Sequence, residues 1–291
     1  MRDNAAPVKL SDGWSGLVFD SHHAVRTWRE FLEELVHGPG KLPGYALLKH
    51  SRDRQVIRTE MPAVDGRCVV GRYVRAAGLQ AWVDRIRGSA ARRDARRLRA
   101  LAKDGIETSN PLAFVERRAS VAESWLVTSF LSDAADLDRV ALTLLPQLPP
   151  TRSHRLRAAL ATAVATLVSS LERAGWRHRD LKASNVLICD WAGDCGPSQA
   201  AVVDLEGLRR RRPWSFGSRT QPLIRLAASL LDYSTVTPTD YVRFLRAYLP
   251  AVGRQEDEWR ILFRHLSPKA LRYAREAKRR KAHKLDGYSG A

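Results

Sequence analysis

The chain has 291 residues, 44% hydrophobic and 27% charged, enough to bury about three quarters of its unfolded surface and near the size at which one core divides into two. This composition excludes collagen-like and disordered classes. With 49 Lys plus Arg against 31 Asp plus Glu, a formal net charge of +18, the surface attracts polyanions, whether nucleic acid, an anionic membrane or a phosphorylated glycan.

The predicted elements begin after a short glycine-containing segment, Gly13 to Phe19. From His23 to Val36 the residues Val25, Trp28, Phe31, Leu32 and Leu35 fall at helical spacing, and His37-Gly38-Pro39-Gly40 stops that helix. Tyr45–Lys49 and Val56–Thr59 read as strands. Cys68–Val74 is the clearest strand, preceded by the turn signal Asp65-Gly66. Ser89–Lys103 predicts a helix with Ala90, Ala91, Ala95, Leu98, Leu101 and Ala102 on its apolar side and arginines over the rest. Pro111–Glu116 and Trp125–Leu131 read as a strand pair. The first half is thus expected to be a β layer with one long helix against it.

After Leu131 the character changes. An acidic, then apolar stretch runs from Asp133 to Leu145, and a long helix from His154 to Ala174 turns Leu156, Leu160, Val164, Leu167 and Leu171 inward, ending at Gly175. Strands follow at Val186–Cys189 and Ala200–Asp204, joined by a polar turn at Asp194–Ser198. Residues 222–232, 238–248 and 255–283 are predicted helices. The expected domains are 1–131 and 132–291.

Basic residues cluster. Residues 85–103 carry Arg85, Arg87, Arg92, Arg93, Arg96, Arg97, Arg99 and Lys103 against the single acid Asp94. Arg209, Arg210, Arg211 and Arg212 are consecutive, and eight basic residues between Lys269 and Lys284 face only Glu276. No helix-turn-helix, zinc or RNP signature accompanies them, so no specific nucleic-acid partner is expected. Cys68, Cys189 and Cys195 cannot all pair and lack a zinc spacing. A reduced cytosolic setting is expected, with a Cys189–Cys195 loop disulfide as the alternative. No apolar run approaches the roughly 18 residues of a membrane span, and the N-terminus lacks the apolar region of a signal peptide. The chain is expected to be neither secreted nor membrane-spanning, with peripheral membrane contact left open.

The chemistry concentrates in His178-Arg179-Asp180-Leu181-Lys182-Ala183-Ser184-Asn185, just before the apolar Val186-Leu187-Ile188, and in Val202-Val203-Asp204-Leu205-Glu206-Gly207. This is polar equipment for moving a phosphoryl group with magnesium ions. Asp180 is placed to accept the proton of an attacking hydroxyl, and Lys182 to neutralise charge on the transferred group. Asn185 offers an amide oxygen to the metal, and Asp204, ending the next strand, a carboxylate. An isolated His-Arg-Asp is a weak signal, but the full run before an apolar strand is strong. His178 is expected to support the loop through hydrogen bonds rather than donate a proton, and Arg179 to brace it.

The run His178–Asn185 resembles the eukaryotic-like protein kinase superfamily. Cys68–Val74, the segment Leu101-Ala102-Lys103-Asp104-Gly105-Ile106-Glu107-Thr108, Trp125–Leu131 and Thr237–Leu249 are similar to the bacterial lipopolysaccharide kinases, which phosphorylate heptose or Kdo sugars of the lipid A–core. The resemblance spans about residues 45–250. It implies an α+β, two-lobed protein-kinase-like fold, with a small β-rich N-lobe for the nucleotide and a mainly helical C-lobe for catalysis and the acceptor. It further implies ATP, Mg²⁺ and residence at the cytoplasmic face of the inner membrane. Asp180 then corresponds to the catalytic carboxylate, Asn185 and Asp204 to the metal ligands, and Ser129, Phe130 and Leu131 to the hinge against adenine.

Departures from that pattern matter. The family expects a Lys in the strand at Cys68–Val74, where this chain has Gly71-Arg72, and a Glu in the next helix, where it has Asp94. Arg72 is expected to take the place of the Lys and Asp94 that of its partner. There is no glycine-rich G-x-G-x-x-G loop, so Ser51-Arg52-Asp53-Arg54 would have to cover the phosphates. Arg209–Arg212, following the metal-binding strand, are candidates for an anionic acceptor through bidentate Arg–phosphate contacts. The leading expectation is transfer of the ATP γ-phosphoryl group to a hydroxyl of a lipopolysaccharide-core sugar or related envelope glycolipid. The alternatives are a nucleotide-binding pseudokinase acting as scaffold or regulator, and a protein Ser/Thr kinase, which the lack of an Ala-Pro-Glu-like motif after Asp204 disfavours. Oligomeric state and any need for a protein partner stay open.

Overall fold

Side-chain alternation along the strands decides how the first part of the chain is built. The computed structural model describes residues 5–61, 67–118, 122–190, 199–210 and 216–286. The chain divides into two units, one of residues 1–103 with 109–131, the other of residues 104–108 with 132–291.

The first unit holds, in order, β1 (Ala6–Lys9), β2 (Ser15–Val18), α1 (Val25–His37), β3 (Ala46–Ser51), β4 (Arg54–Met61), β5 (Arg67–Ala76), α2 (Gly78–Arg87), α3 (Ala90–Lys103), β6 (Pro111–Arg118) and β7 (Ala122–Ser129). Its described strands form one seven-stranded antiparallel sheet in the order β1-β2-β6-β7-β5-β4-β3. Successive residues of a strand face opposite sides. Ile57, Val69, Val115, Trp125 and Val127 accordingly share one face, and they form a core with Trp28, Phe31, Leu32 and Leu35 of α1. Gly71 lies in the same row. A Cβ there would come within 3.1 Å of Ile57 Cγ1 and 3.2 Å of Trp125 Cζ3, so close packing leaves no room for a side chain.

The neighbouring residue of β5, Arg72, belongs to the opposite face, which α3 covers. Helix α3 buries Ala91, Ala95, Leu98 and Leu101. Its first turn is tied to the sheet by Ser89 N–H donating to Glu116 Oε2 (3.2 Å) and Ala91 N–H to Ser124 Oγ (3.4 Å). The sheet therefore carries a helix on each face rather than on one. In this unit three elements escaped the sequence reading: β1, β2 and α2.

The second unit begins with β8 (Ala135–Asp136), α4 (Leu137–Arg139) and two further helical turns through Gln147. It continues with α5 (Pro150–Arg173), β9 (Trp176–His178), β10 (Val186–Cys189), β11 (Gln199–Val202), β12 (Leu208–Arg210), α6 (Phe216–Leu230), α7 (Pro238–Ala251) and α8 (Trp259–Asp286). The long helix α5 packs against α7, and α6 against α8. Two small antiparallel pairings position the loops that matter. β10 pairs with β11 with Val186 opposite Val202, and β9 pairs with β12 with His178 opposite Leu208. The predicted polar turn at Asp194–Ser198 lies outside the described residues. Among the described residues no helix is long and apolar enough to cross a membrane.

Trp28 is fully buried between α1 and the sheet. Trp28→Ala should destabilise the first unit by about 3–5 kcal/mol, read as a lower midpoint in urea unfolding. A loss below about 1 kcal/mol would place the core of this unit elsewhere.

Candidate active site

The loop from His178 to Asn185 leaves β9, turns through a single 3-10 turn at Ala183–Asn185 and enters β10. Its shape is set by His178, which is 2% exposed. Asp180 N–H donates to His178 Nδ1 (3.2 Å), so that nitrogen bears no proton. The other nitrogen, Nε2, lies 2.9 Å from the Asp204 carbonyl oxygen and 3.3 Å from that of Val203, and donates to them. The ring is therefore a neutral Nε2–H tautomer that joins the two acidic segments of the motif. Burial holds its pKa below the ordinary histidine value, against the opposing pull of the Asp204 and Val203 carbonyls.

Two more backbone bonds complete the frame. Val203 N–H donates to Asn185 O (3.0 Å), and Arg179 N–H to Gly207 O (2.8 Å). Gly207 packs against the imidazole, and a Cβ there would lie 3.1 Å from His178 Cε1 and 3.3 Å from Asp180 N. Asp204 itself takes the left-handed conformation, φ 59° and ψ 68°. A non-glycine residue there costs about 1–2 kcal/mol, and the His178 bond to its carbonyl helps hold it. Arg179, expected to brace the loop, contributes its backbone N–H, and its side chain is exposed. The bracing comes from His178.

The Asp180 carboxylate meets two cations. Lys182 Nζ is 3.1 Å from Oδ2, and Arg225 Nη1, from α6, is 3.4 Å from Oδ1. Arg225 was missed from sequence because 45 residues separate it from its partner; an Arg in an otherwise apolar helical run, Leu223-Ile224-Arg225-Leu226, was the available signal. Its guanidinium also lies over the Tyr273 ring of α8, 5.3 Å from the centroid. Ser229 of the same helix accepts a hydrogen bond from Ala183 N–H (2.9 Å), so α6 holds the loop at two points. Asn185 is buried, and its amide nitrogen donates to Asp180 O (2.9 Å). That bond orients the amide and commits its nitrogen, leaving Oδ1 as the atom a metal would use.

An amide oxygen and a carboxylate are hard ligands, and Mg²⁺ is held by one or two carboxylates together with substrate phosphates and water. Asn185 and Asp204 thus fit such an ion in chemistry, and the His178 and Val203 bonds couple their backbones. Among the described residues no group of three or more His, Cys, Asp or Glu side chains gathers as a self-contained metal site.

In the first unit, Arg72 Nη1 lies 2.7 Å from Asp94 Oδ2, and Arg97 Nη1 lies 2.6 Å from Asp94 Oδ1. Asp94 is buried, with one guanidinium on each oxygen. Ser129 forms a reciprocal pair with Asn110: its N–H donates to Asn110 O, and its Oγ accepts from Asn110 N–H, both at 2.9 Å. Phe130 and Leu131 are half-buried. Arg58 of β4 lies over the Phe130 ring, 5.8 Å from its centroid, a neighbour that sequence reasoning did not find.

Of the arginine run, Arg209 Nη1 donates to the carbonyls of Glu206 (2.8 Å) and Leu208 (2.9 Å). Arg210 pairs with Asp104 at 3.4 Å and covers the Trp176 ring. Arg211 and Arg212 lie outside the described residues. Cys189 is a free thiol, and Cys195, its alternative partner, lies outside the described residues. Much of the basic cluster at 85–103 is also spent internally. Arg92 pairs with Glu116 at 3.0 Å and Arg93 with Asp84 at 2.8 Å, and both of those acids are buried.

The depressed His178 pKa has a definite sign. The unfolded chain takes up a proton near the ordinary value of about 6.5, whereas the folded one resists. The stability tied to the neutral ring is therefore complete above that pH and is lost as pH falls toward the folded-state value, at up to about 1.4 kcal/mol per pH unit. The stability difference between wild type and His178→Gln should accordingly shrink from pH 7.5 to pH 5 in urea titrations. A constant difference would contradict a buried neutral His178.

Comparison with known proteins agrees with this geometry. The model of the lipopolysaccharide kinase (Kdo/WaaP) family matches residues 79–248, a span that contains Asp180, Asn185 and Asp204. Lipopolysaccharide core heptose(I) kinase WaaP of Pseudomonas aeruginosa is 30% identical over 206 residues, covering 67% of this chain and 73% of that protein. The solved structure of WaaP in complex with acyl carrier protein shares the fold at TM-score 0.61 and 24% identity, over 93% of this chain and 98% of that one. The expected α+β protein-kinase-like architecture is thereby confirmed, with a β-rich first unit and a mainly helical second. The chain belongs to the lipopolysaccharide kinase (Kdo/WaaP) family and is a phosphotransferase acting on a lipopolysaccharide-core sugar.

Proposed function

We propose that this kinase transfers the γ-phosphoryl group of ATP to a hydroxyl of a core heptose, with Mg²⁺ as cofactor, at the cytoplasmic face of the inner membrane. One observation carries the residue assignment: a single carboxylate, Asp180, is held by Lys182 and Arg225 and tied through buried His178 to the backbone of Asp204. Asp180 accepts the proton of the attacking sugar hydroxyl as its oxygen bonds to phosphorus and the bond to the ADP oxygen breaks. Lys182, on a short flexible stem, offsets charge on the transferred group. Arg225 keeps the carboxylate oriented. Asn185 and Asp204 would hold Mg²⁺, which would supply positive charge against the phosphates. Catalysis by such a site rests on alignment and electrostatic stabilisation.

In the first unit, Arg72 is proposed to contact the nucleotide phosphates while Asp94 holds it, and Ser129–Leu131 to receive the adenine. The absent strand Lys is the one feature that favours a non-catalytic scaffold. The 2.7 Å Arg72–Asp94 pair supports a functional replacement instead. Arg209, held by the Glu206 and Leu208 carbonyls, and Arg210, beside Asp104 and over Trp176, are the described candidates for an acceptor phosphate.

The solved WaaP is in complex with acyl carrier protein. Here the second unit contains an apolar cavity of about 250 Å³ lined by Leu160, Val164, Leu226, Phe244 and Phe263 among others. Its chemistry suits an acyl chain and supports the same class of partner.

The test is phosphotransfer from ATP to core lipopolysaccharide in Mg²⁺. Asp180→Asn should lower turnover by at least a hundredfold, within the roughly 10²–10⁴-fold range of proton-transfer catalysis, and leave nucleotide affinity nearly intact. Arg72→Ala should weaken ATP use, and Arg72→Lys should retain it. Full activity in Asp180→Asn would exclude that carboxylate as the base.

A further inference from the structure

Helix α2 is amphipathic in the wrong sense for a helix that belongs only to its own fold. The residues it buries are Ala81 and Asp84. Its large apolar side chains point outward instead: Leu79 is 78% exposed, Trp82 58% and Ile86 65%. The spacing of 79, 82 and 86 is one helical face, and the helix is about 15 Å long over its 10 residues. Burying a carboxylate while exposing a tryptophan is the reverse of what stability alone selects.

The inversion is held in place. Asp84 accepts from Gln80 Nε2 (2.8 Å) and from Arg93 Nη1 of α3 (2.8 Å), which commits the polar face inward. Asp84 is also the only acid in α2, so the outward face carries no carboxylate. Arg85 and Arg87, in the last turn, are exposed.

We propose that the outward face of α2, formed by Leu79, Trp82 and Ile86 with Arg85 and Arg87, docks on the surface of an anionic lipid bilayer. An apolar ridge centred on tryptophan and bordered by arginines, with no acid on that face, matches the interfacial zone of a membrane, where the rings meet the acyl boundary and the cations meet the head groups. A second copy of the chain is a poor occupant, because a net charge of +18 on each partner opposes self-association. The inference deepens the proposed function by naming the surface that brings the kinase to a lipid-borne acceptor. It rests on that reading only for the acceptor.

The experiment is co-sedimentation of the full chain with vesicles of phosphatidylglycerol and phosphatidylethanolamine, and separately of phosphatidylcholine alone. Wild type should partition onto the anionic vesicles. The variant Leu79→Ser/Trp82→Ser/Ile86→Ser should lose at least tenfold of that partition, with its melting temperature and its phosphotransfer to a deacylated, water-soluble core oligosaccharide unchanged. Vesicles with brominated acyl chains should quench the tryptophan fluorescence of wild type more than that of Trp82→Phe. Equal partition of wild type and the triple variant would overturn the proposal. So would a loss of binding to acyl carrier protein with vesicle binding intact, which would assign the face to an acidic protein. No turnover of either acceptor by wild type would overturn the proposed function instead, and the vesicle comparison would still decide the role of α2.

Discussion

A buried, neutral imidazole is the interaction on which the rest of the site depends. His178 accepts from the Asp180 backbone and donates to the Asp204 carbonyl, so one ring fixes two segments that chain order alone would leave independent. The cost of burying a polar ring is met by satisfying both nitrogens. Two features around it follow. Gly207 must lack a side chain for the ring to lie where it does, and Asp204 is held in a left-handed conformation that ordinary residues avoid. Strain of this kind persists where surrounding bonds over-determine the backbone, and here they come from β9, β10 and the Gly207 turn.

Charge is deployed differently from what composition implies. The surplus of +18 invites a picture of a basic surface awaiting a polyanion. Yet several arginines of α3 are structural: Arg92, Arg93 and Arg97 each hold a buried acid, and Arg99 lies over the Phe19 ring. The guanidinium suits this work because it stays charged and is weakly hydrated. Asp180 follows another pattern, with a lysine on one oxygen and an arginine on the other at a site that remains accessible to solvent. The same residue types thus serve packing in one unit and orientation of a carboxylate in the other.

The loop from His178 to Asn185 was legible from sequence because its residues are contiguous and in a distinctive order. The helices α1, α3, α5, α7 and α8 were legible because their apolar faces repeat at helical spacing. What was not legible has physical reasons. β1 and β2 are four-residue strands, too short for alternation to stand out, and they are held by pairing, β2 onto β6 and β1 onto β2. Helix α2 was invisible because its apolar residues face solvent and its buried face is small and polar. Arg225 reaches Asp180 from a helix 45 residues on, and no local pattern reports such a contact. The Arg72–Asp94 pair was readable only because strand and helix each offered one plausible candidate.

Asn185 and Asp204, whose backbones the His178 and Val203 bonds couple, are proposed to bind one magnesium–nucleotide assembly. Calorimetric titration of ATP with and without Mg²⁺ into wild type, Asn185→Ala and Asp204→Ala tests it most directly. Wild type should bind ATP more tightly with Mg²⁺ than without, and both variants should lose that increment while still melting cooperatively. Variants that keep the full Mg²⁺-dependent gain would contradict it.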